Sequence, residues 1–576
     1  MFQKISFQNY KAFEKGEIKI KPITILLGAN SVGKSSIINL LLMLQQTANS
    51  TNYKSALRLH GENVSMGECE NIFRNKQTNK NIVIEFEFKS KALKNLLKKE
   101  LLTDFIDQMS QPIQFFSRFS DDEIKKTINI ELNQFINKRR EVDERLYHSK
   151  TVFLNLISTI EALNDNIVKN RKQSDVIRYY LKRNEATNLN DKKILEIIYD
   201  FLIEVRKIKD ETFNLSFELC NVKSSKEDVL KMSRVTLMNE EQRILSFDFS
   251  LNKNNTAYDD IDVISDFVKE TEMLDGKIKL ELLKLIKFDS TIFSWVPYSS
   301  KNRDFFYFND DDDYSAVTNI IIRIIEQSMI SVKEQFAKEL VNHVSPLRAH
   351  PKRYYFLDKA NINTVLDTLD GNSLTEILKE NVVIKDKVNA WLKTFGLHVD
   401  VSTLQDVIHK LKIQQYTLDL DITDVGFGIS QILPVIVQGF LSFENSLTMI
   451  EQPEIHLHPK MQADLADLFI DVVMGSTLQL NLSRNKQLMP LRKYLLIETH
   501  SEYLLRRLRR RISEGKISAQ DVAIYFIAPP NNNENSSAEI QEKEVFDNGF
   551  FEYPKDFMDE NLEQDMISFI HQQLNK

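Results

Sequence analysis

Residues 23–41 constrain this chain more than any other stretch. Ile23-Thr24-Ile25-Leu26-Leu27 is an apolar run of the kind that forms a buried strand. It leads directly into Gly28-Ala29-Asn30-Ser31-Val32-Gly33-Lys34-Ser35, and Ser36-Ile37-Ile38-Asn39-Leu40-Leu41 continues as a helix. This is G-x-x-x-x-G-K-S in the strand–loop–helix setting that the motif requires. Gly28 and Gly33 let the backbone turn back so that successive N–H groups face a phosphate chain at a positive helix end. Asn30, Ser31 and Ser36 complete the loop. Lys34 is expected to reach β/γ-phosphates and Ser35 to offer its hydroxyl oxygen to Mg²⁺. A glycine turn that merely precedes a helix is the bland alternative, and the flanking strand and helix leave it little room.

The totals set the frame. A chain of 576 residues is too long for one compact core, so two or more lobes are expected. Its net charge of −7 gives no general attraction to nucleic acid, and any DNA contact must come from a local basic patch. Cys69 and Cys220 have neither disulfide nor zinc spacing. No stretch approaches the roughly 20 apolar residues of a membrane span. The start, Met1-Phe2-Gln3-Lys4-Ile5, reads as a strand and not as a signal peptide. A cytoplasmic protein with no membrane partner is expected.

Glycine and proline placement divides the chain. Between Glu68 and Asp275 there is no glycine, and Pro112 is the only proline. So few breakers favour long helices. Within this stretch Leu93, Leu96 and Leu97, then Ile130, Leu132 and Phe135, then Ile157, Ile160 and Leu163 recur at helical steps. Charged runs such as Lys138-Arg139-Arg140-Glu141 and Lys169-Asn170-Arg171-Lys172 fill the gaps, and no heptad run supports an extended coiled coil. On either side the period changes to two, in Ile82–Phe88, Phe213–Leu219 and Arg243–Phe249. These are expected as strands of an antiparallel sheet into which a helical arm is inserted. Near the C-terminus, the short apolar strands Leu447–Ile450, Tyr494–Ile497 and Val522–Phe526 alternate with amphipathic helices, the mark of a parallel α/β sheet. The expected parts are a first half-head at 1–89, an arm at 90–210, return strands at 211–300, a helical lobe at 301–420 and a second half-head at 421–576. The acidic run Asp310–Asp313 and the polar run Asn531–Ser537 read as loops.

Three further segments carry chemistry. In Leu447-Thr448-Met449-Ile450-Glu451-Gln452-Pro453-Glu454 an apolar strand ends in a carboxylate, the Walker B arrangement, with Glu451 as the Mg²⁺ acid. The next position ordinarily holds a carboxylate that polarises water. Here it is Gln452, an amide that can orient water and cannot take its proton. Glu454 is a candidate substitute, and slow hydrolysis is expected. In Glu498-Thr499-His500-Ser501, His500 stands at a strand end within expected reach of a γ-phosphate. In Gly426-Phe427-Gly428-Ile429-Ser430-Gln431, glycines and a serine precede an apolar helix, like an ABC signature loop whose Gly428, Ser430 and Gln431 would meet nucleotide across a dimer interface. The bland reading of the last segment is an N-cap at Ser430.

Taken together, Asn30–Ser36, Gly426–Gln431, Glu451–Pro459 and Glu498–Ser501 resemble the motifs of bacterial AAA/ABC-type ATPases related to the OLD (overcoming lysogenization defect) family. Ser345–Tyr354, Asn389–Leu392 and Asn548–Pro554 extend the resemblance, which covers roughly residues 1–90 and 340–560. It implies an α/β fold: an ABC/SMC-like P-loop ATPase head with a mixed N-terminal β lobe and a mostly helical insertion. Such a head forms a homodimer or higher homo-oligomer around ATP and Mg²⁺. It further implies a role like the ATPase subunits of Septu- and PARIS-type anti-phage systems, which act with a separately encoded nuclease or toxin. OLD nucleases carry a Toprim domain after the ATPase, and residues 501–576 are too few for one. The alternative is a DNA-repair ATPase resembling RecF or Rad50, with DNA as its partner.

Two constellations stay open on sequence alone. His456-Leu457-His458 near Glu454 is either an interface loop or a metal site. The run Arg506-Arg507-Leu508-Arg509-Arg510-Arg511 is either a DNA or partner patch or a helix whose charges are solvated or internally paired. Lys89, Lys91, Lys94, Lys98 and Lys99 carry the same pair of readings, and Arg348 and Arg353 either pair with carboxylates or approach nucleotide.

Overall fold

The computed structural model describes residues 2–50, 54–105, 158, 192–223, 228–268, 276–296, 315–356, 366–368, 370–405, 407–475, 492–530, 536–553, 568 and 571–572. Most of the arm, with Ile130 to Phe135 and both charged runs read within it, lies outside the described residues, as do Asp310–Asp313 and Asn531–Asn535. The chain divides into two compact units, Met1–Asn49 with Leu59–Gln77 and Gln335–Lys576, and Ser50–Arg58 with Thr78–Glu334.

The first unit is built on a six-stranded sheet in the order Glu539–Lys543, Val522–Ala528, Ile23–Leu27, Tyr494–Glu498, Leu447–Glu451, Val341–Val344. All neighbours are parallel except the antiparallel edge strand Glu539–Lys543. Ile23–Leu27 and Leu447–Glu451 are buried along their whole length, which is why both read as continuous apolar runs and not as alternation. Helices Phe427–Leu441, Pro459–Met474 and Glu502–Ser513 contribute buried residues to its core, and the helix Lys34–Ala48 is buried along most of its length. The parallel order sends the strand ends Leu27, Glu498 and Glu451 to one edge, where α/β proteins place their ligands.

Two antiparallel pieces flank that sheet within the unit. The hairpin Lys4–Tyr10 with Phe13–Lys19 packs Phe7 edge-on against Tyr10 and Phe13, and the Tyr10 hydroxyl donates to the Ser36 carbonyl at 3.0 Å. The hairpin is thereby fixed to the start of the helix Lys34–Ala48. Between residues 355 and 421, strands Tyr355–Phe356, Leu397–Gln405, Ile408–Gln415 and Leu418–Asp421 form a small sheet beside helices Gly371–Glu380 and Val382–Leu392. The lobe read as helical at 301–420 thus contains a sheet as well. Asn389 fastens helix to sheet, its amide bonding both the N–H and the carbonyl of Val399.

In the second unit, Ile82–Lys89, Thr212–Val222, Val229–Asn239, Gln242–Leu251 and Tyr258–Ile264 pair successively as an antiparallel meander. The expected strands on either side of the arm are present and paired directly, Ile82 opposite Leu219 and Lys89 opposite Thr212. Val229–Asn239 escaped the period-two reading because a bulge breaks its register against both neighbours. Trp295, Phe86, Phe88, Phe217 and Phe247 fill its core, with helices Lys192–Val205, Gly276–Leu285 and Ala316–Lys333 also in this unit. Among the described residues, no helix is long and apolar enough to cross a membrane.

Candidate nucleotide site

The P-loop begins where the strand Ile23–Leu27 ends. Gly28 has φ 145°, and a Cβ there would lie 2.6 Å from the Ile527 carbonyl oxygen, so the turn admits glycine alone. Ser31 is left-handed at φ 63°, and Gly33 caps the helix Lys34–Ala48. The Lys34 ammonium lies inside the loop, donating to the carbonyls of Gly28 at 3.0 Å and Ala29 at 2.7 Å, and stands 3.8 Å from Glu498. Lys34 is only 3 % exposed. Burial lowers its pKa, with Glu498 and Glu454 opposing the shift.

Around the loop opens a cavity of about 470 Å³. Asn30, Ser31, Gly33, Lys34, Ser35 and Ser36 line one side, with Gln452 and Glu498 at the strand ends. Lys11, Asn71, Asn75 and Lys76 also line it, which sequence reasoning missed. The signal available there was weak: Lys11, Asn75 and Lys76 have positive φ, a property no periodicity reveals.

The acidic groups divide into three environments. Glu451 ends the strand Leu447–Glu451, and the imidazole Nε2 of His343, on the next strand, donates to its carboxylate at 2.7 Å. Glu498 ends the neighbouring strand in register with Glu451, and accepts the Ser35 hydroxyl at 3.1 Å. Burial and then the Glu451 charge push the pKa of Glu498 up. Like Glu451 and His500, Glu454 does not line the cavity. Its two oxygens accept the Thr499 hydroxyl at 2.8 Å and the His500 N–H at 2.6 Å, so it holds the His500 loop. Burial raises its pKa against those bonds and the nearby Arg348 charge. His500 has its pKa lowered by desolvation and then by Lys34.

Gln452 is left-handed at φ 45°, and its N–H donates to the Glu498 carbonyl at 2.7 Å. Ser35 and the carboxylates of Glu451 and Glu498 are hard oxygen donors and suit a divalent cation such as Mg²⁺. Among the described residues, no three His, Cys, Asp or Glu side chains form a metal cage. A cation here would complete its shell from phosphate and water, as Mg²⁺ does.

The glycine–serine segment lies elsewhere. Gly426 caps the helix Phe427–Leu441, and Ser430 sits in its first turn, its hydroxyl donating back to the Phe427 carbonyl at 2.7 Å. Ser430 is therefore not the N-cap. A Cβ on Gly428 would meet the His456 carbonyl oxygen at 2.5 Å, so this turn and the loop after Glu451 touch backbone to backbone. Gly428, Ser430 and Gln431 do not line the P-loop cavity.

The family pattern described as the AAA ATPase domain matches residues 1–505. The chain belongs to the AAA ATPase domain family. A comparison with curated proteins finds no match. Among solved structures, this AAA ATPase is similar to an SMC head domain from Thermotoga maritima, at 6 % identity and TM-score 0.30, covering 94 % of this chain and 98 % of that one. An SmcHead bound to the C-winged helix domain of ScpA aligns at 9 % identity and TM-score 0.33, covering 94 % and 97 %. A Smc head with an extended coiled coil bound to the C-terminal domain of ScpA, from Pyrococcus furiosus, aligns at 9 % and 0.30, covering 100 % and 99 %. The family assignment rests on the sequence match, and the P-loop geometry agrees with it.

Other candidate groups of the AAA ATPase resolve locally. His458 caps the helix Pro459–Met474 through its ring nitrogen, and His456 packs its ring against Phe427 at 5.0 Å. The arginine run is internally paired: Arg506 with Glu502, Arg507 with Asp464 and Asp467, Arg510 with Glu514, and Arg511 with Asp467 and Glu514. Arg509 lies over the rings of Phe550, Phe551 and Tyr553, which fastens the segment before residue 554 to this helix. Lys94 pairs with Glu211, and Arg353 with Asp421 and Asp424.

Proposed function

We propose that this AAA ATPase is an ATP-gated clamp: two copies close head to tail, each P-loop cavity meeting the other copy's Gly428–Gln431 turn. The observation that carries this reading is the separation of those two features within one chain. The cavity gathers the groups that grip a phosphate chain, while Gly428, Ser430 and Gln431 lie outside it. A signature turn that lies outside its own cavity is suited to serving another.

In this reading Gly28, Asn30, Ser31, Gly33, Lys34, Ser35 and Ser36 bind the phosphates, with ATP and Mg²⁺ as cofactors. Ser35 and Glu451 hold the cation, which when bound neutralises charge on the β/γ-phosphate oxygens. His500, set by Glu454, faces the γ-phosphate, and Gln452 orients water. An amide at that place cannot accept water's proton, so turnover is slow and the closed dimer long-lived. The resemblance to Septu- and PARIS-type subunits supports a cytoplasmic sensor or scaffold for a separately encoded nuclease or toxin in anti-phage defence. The DNA-repair alternative has less support, because the arginines offered for phosphate contact already have internal partners.

Mass photometry and ATP turnover on the purified protein, with and without the product of its neighbouring gene, test the proposal against Lys34→Ala. ATP-dependent dimers that capture the neighbour, lost in Lys34→Ala, are expected. A monomer with brisk, DNA-stimulated turnover would sink the clamp.

A further inference from the structure

Ser35 and the two strand-end acids do not stand as the Walker B pattern alone suggests. The carboxylate that meets the Ser35 hydroxyl belongs to Glu498, at 3.1 Å. Glu451, the Walker B acid, is bonded instead to His343 at 2.7 Å. The cause is strand order. Tyr494–Glu498 lies between the P-loop strand and Leu447–Glu451, so its last residue stands nearest the loop. Register then sets Glu451 beside Glu498 on the same face, as paired residues of parallel strands are.

We propose that Glu498 is the second carboxylate of the divalent-cation site, acting with Ser35 and Glu451. The assignment rests on the nucleotide reading of the P-loop cavity and deepens it.

Three observations support it. Glu498 lines the cavity, whereas Glu454 is turned away with both oxygens occupied. Glu498 is 4 % exposed, so its charge needs a partner close by. Its nearest cation is also shared: Lys34 stands 3.8 Å away and already donates to the carbonyls of Gly28 and Ala29, while Glu451 has His343 for a partner. A divalent ion bound beside Ser35 supplies the countercharge that Glu498 otherwise only shares.

Glu498→Gln separates this role from a merely structural one, because the amide oxygen can still accept the Ser35 hydroxyl. Binding of fluorescently labelled ADP would be measured in EDTA, and Mn²⁺ affinity of the protein–ADP complex by electron paramagnetic resonance. Glu498→Gln is expected still to bind ADP in EDTA, somewhat tighter for the loss of a negative charge beside the phosphates, and to weaken Mn²⁺ by about tenfold or more. Glu498→Asp keeps the charge and should weaken Mn²⁺ less, which preserves the test if the amide variant folds poorly. Unchanged Mn²⁺ affinity in both variants overturns the role of Glu498. A wild type that binds no ADP under either condition overturns the nucleotide site itself, and this assignment with it.

Discussion

Arg348 and Glu451 meet through the main chain: one terminal nitrogen of the guanidinium donates to the Glu451 carbonyl at 2.8 Å and lies 3.4 Å from that of Gln452. The other terminal nitrogen reaches the Gln431 carbonyl at 3.2 Å, in the first turn of the helix Phe427–Leu441. One buried cation thus joins the Gly428–Gln431 turn to the end of the strand Leu447–Glu451. Burial lowers its pKa to about 10, with Glu454 and Glu451 opposing. Arg348→Ala would leave those carbonyls short of donors and the two acids short of a countercharge. The expected loss is about 3 kcal/mol in urea unfolding. A loss below about 1 kcal/mol would show the bridge to be incidental.

Gly428 makes the same junction from the other side. Its backbone approaches the His456 carbonyl so closely that a methyl group would sit 2.5 Å from the oxygen. Neither partner is the end of a flexible side chain, and His456 itself is left-handed at φ 62°. Gly428→Ala should therefore cost roughly 1–3 kcal/mol through overpacking. Chemical denaturation measures it, and a neutral substitution would mean that the two turns readily separate.

The P-loop and the parallel strands were legible because local pattern dictates them: a buried strand, a glycine turn and a helix follow one another within residues 23–41. Glu498 was legible in principle and overlooked. Tyr494-Leu495-Leu496-Ile497-Glu498 repeats the form of Leu447-Thr448-Met449-Ile450-Glu451, and only strand order tells which acid stands beside Ser35. His343 carried no such signal, since a histidine in the short strand Val341–Val344 gains meaning only through pairing, Met449 opposite His343. For the arginine run, composition suggested a phosphate patch. The deciding partners, Asp464 and Asp467, lie about forty residues away on another helix.

Lys493 gives the fold a pH dependence. Its ammonium donates to the carbonyls of Gly439 and Phe440, near the end of the helix Phe427–Leu441. Desolvation first, and then Lys387, lower its pKa from 10.5 to about 8, with Glu444 opposing. The unfolded chain keeps this proton to about pH 10.5 while the folded chain releases it from about pH 8, so stability rises with pH across that window. The gain is on the order of 2 kcal/mol after solvent screening. Urea midpoints between pH 7.5 and 9.5 should climb more in wild type than in Lys493→Met. Parallel curves would show that Lys493 titrates normally.

Gln452 bears on the chemistry itself. Its backbone is held by the Glu498 carbonyl at 2.7 Å, and the residue lines the cavity beside the P-loop. The place suits a group that handles water, and what the side chain lacks is basicity. Gln452→Glu restores a proton acceptor of nearly the same shape, so ATP turnover should rise by about tenfold or more, short of the 10²–10⁴ that a well-placed base can contribute. In the proposed clamp, the closed dimer should shorten in lifetime by a similar factor, since hydrolysis would end it. The added carboxylate also stands near Glu498 and Glu451, which moderates the gain through mutual repulsion. Single-turnover hydrolysis separates these effects from ADP release. A variant no faster than wild type would move the rate-limiting step from water activation to another part of the cycle.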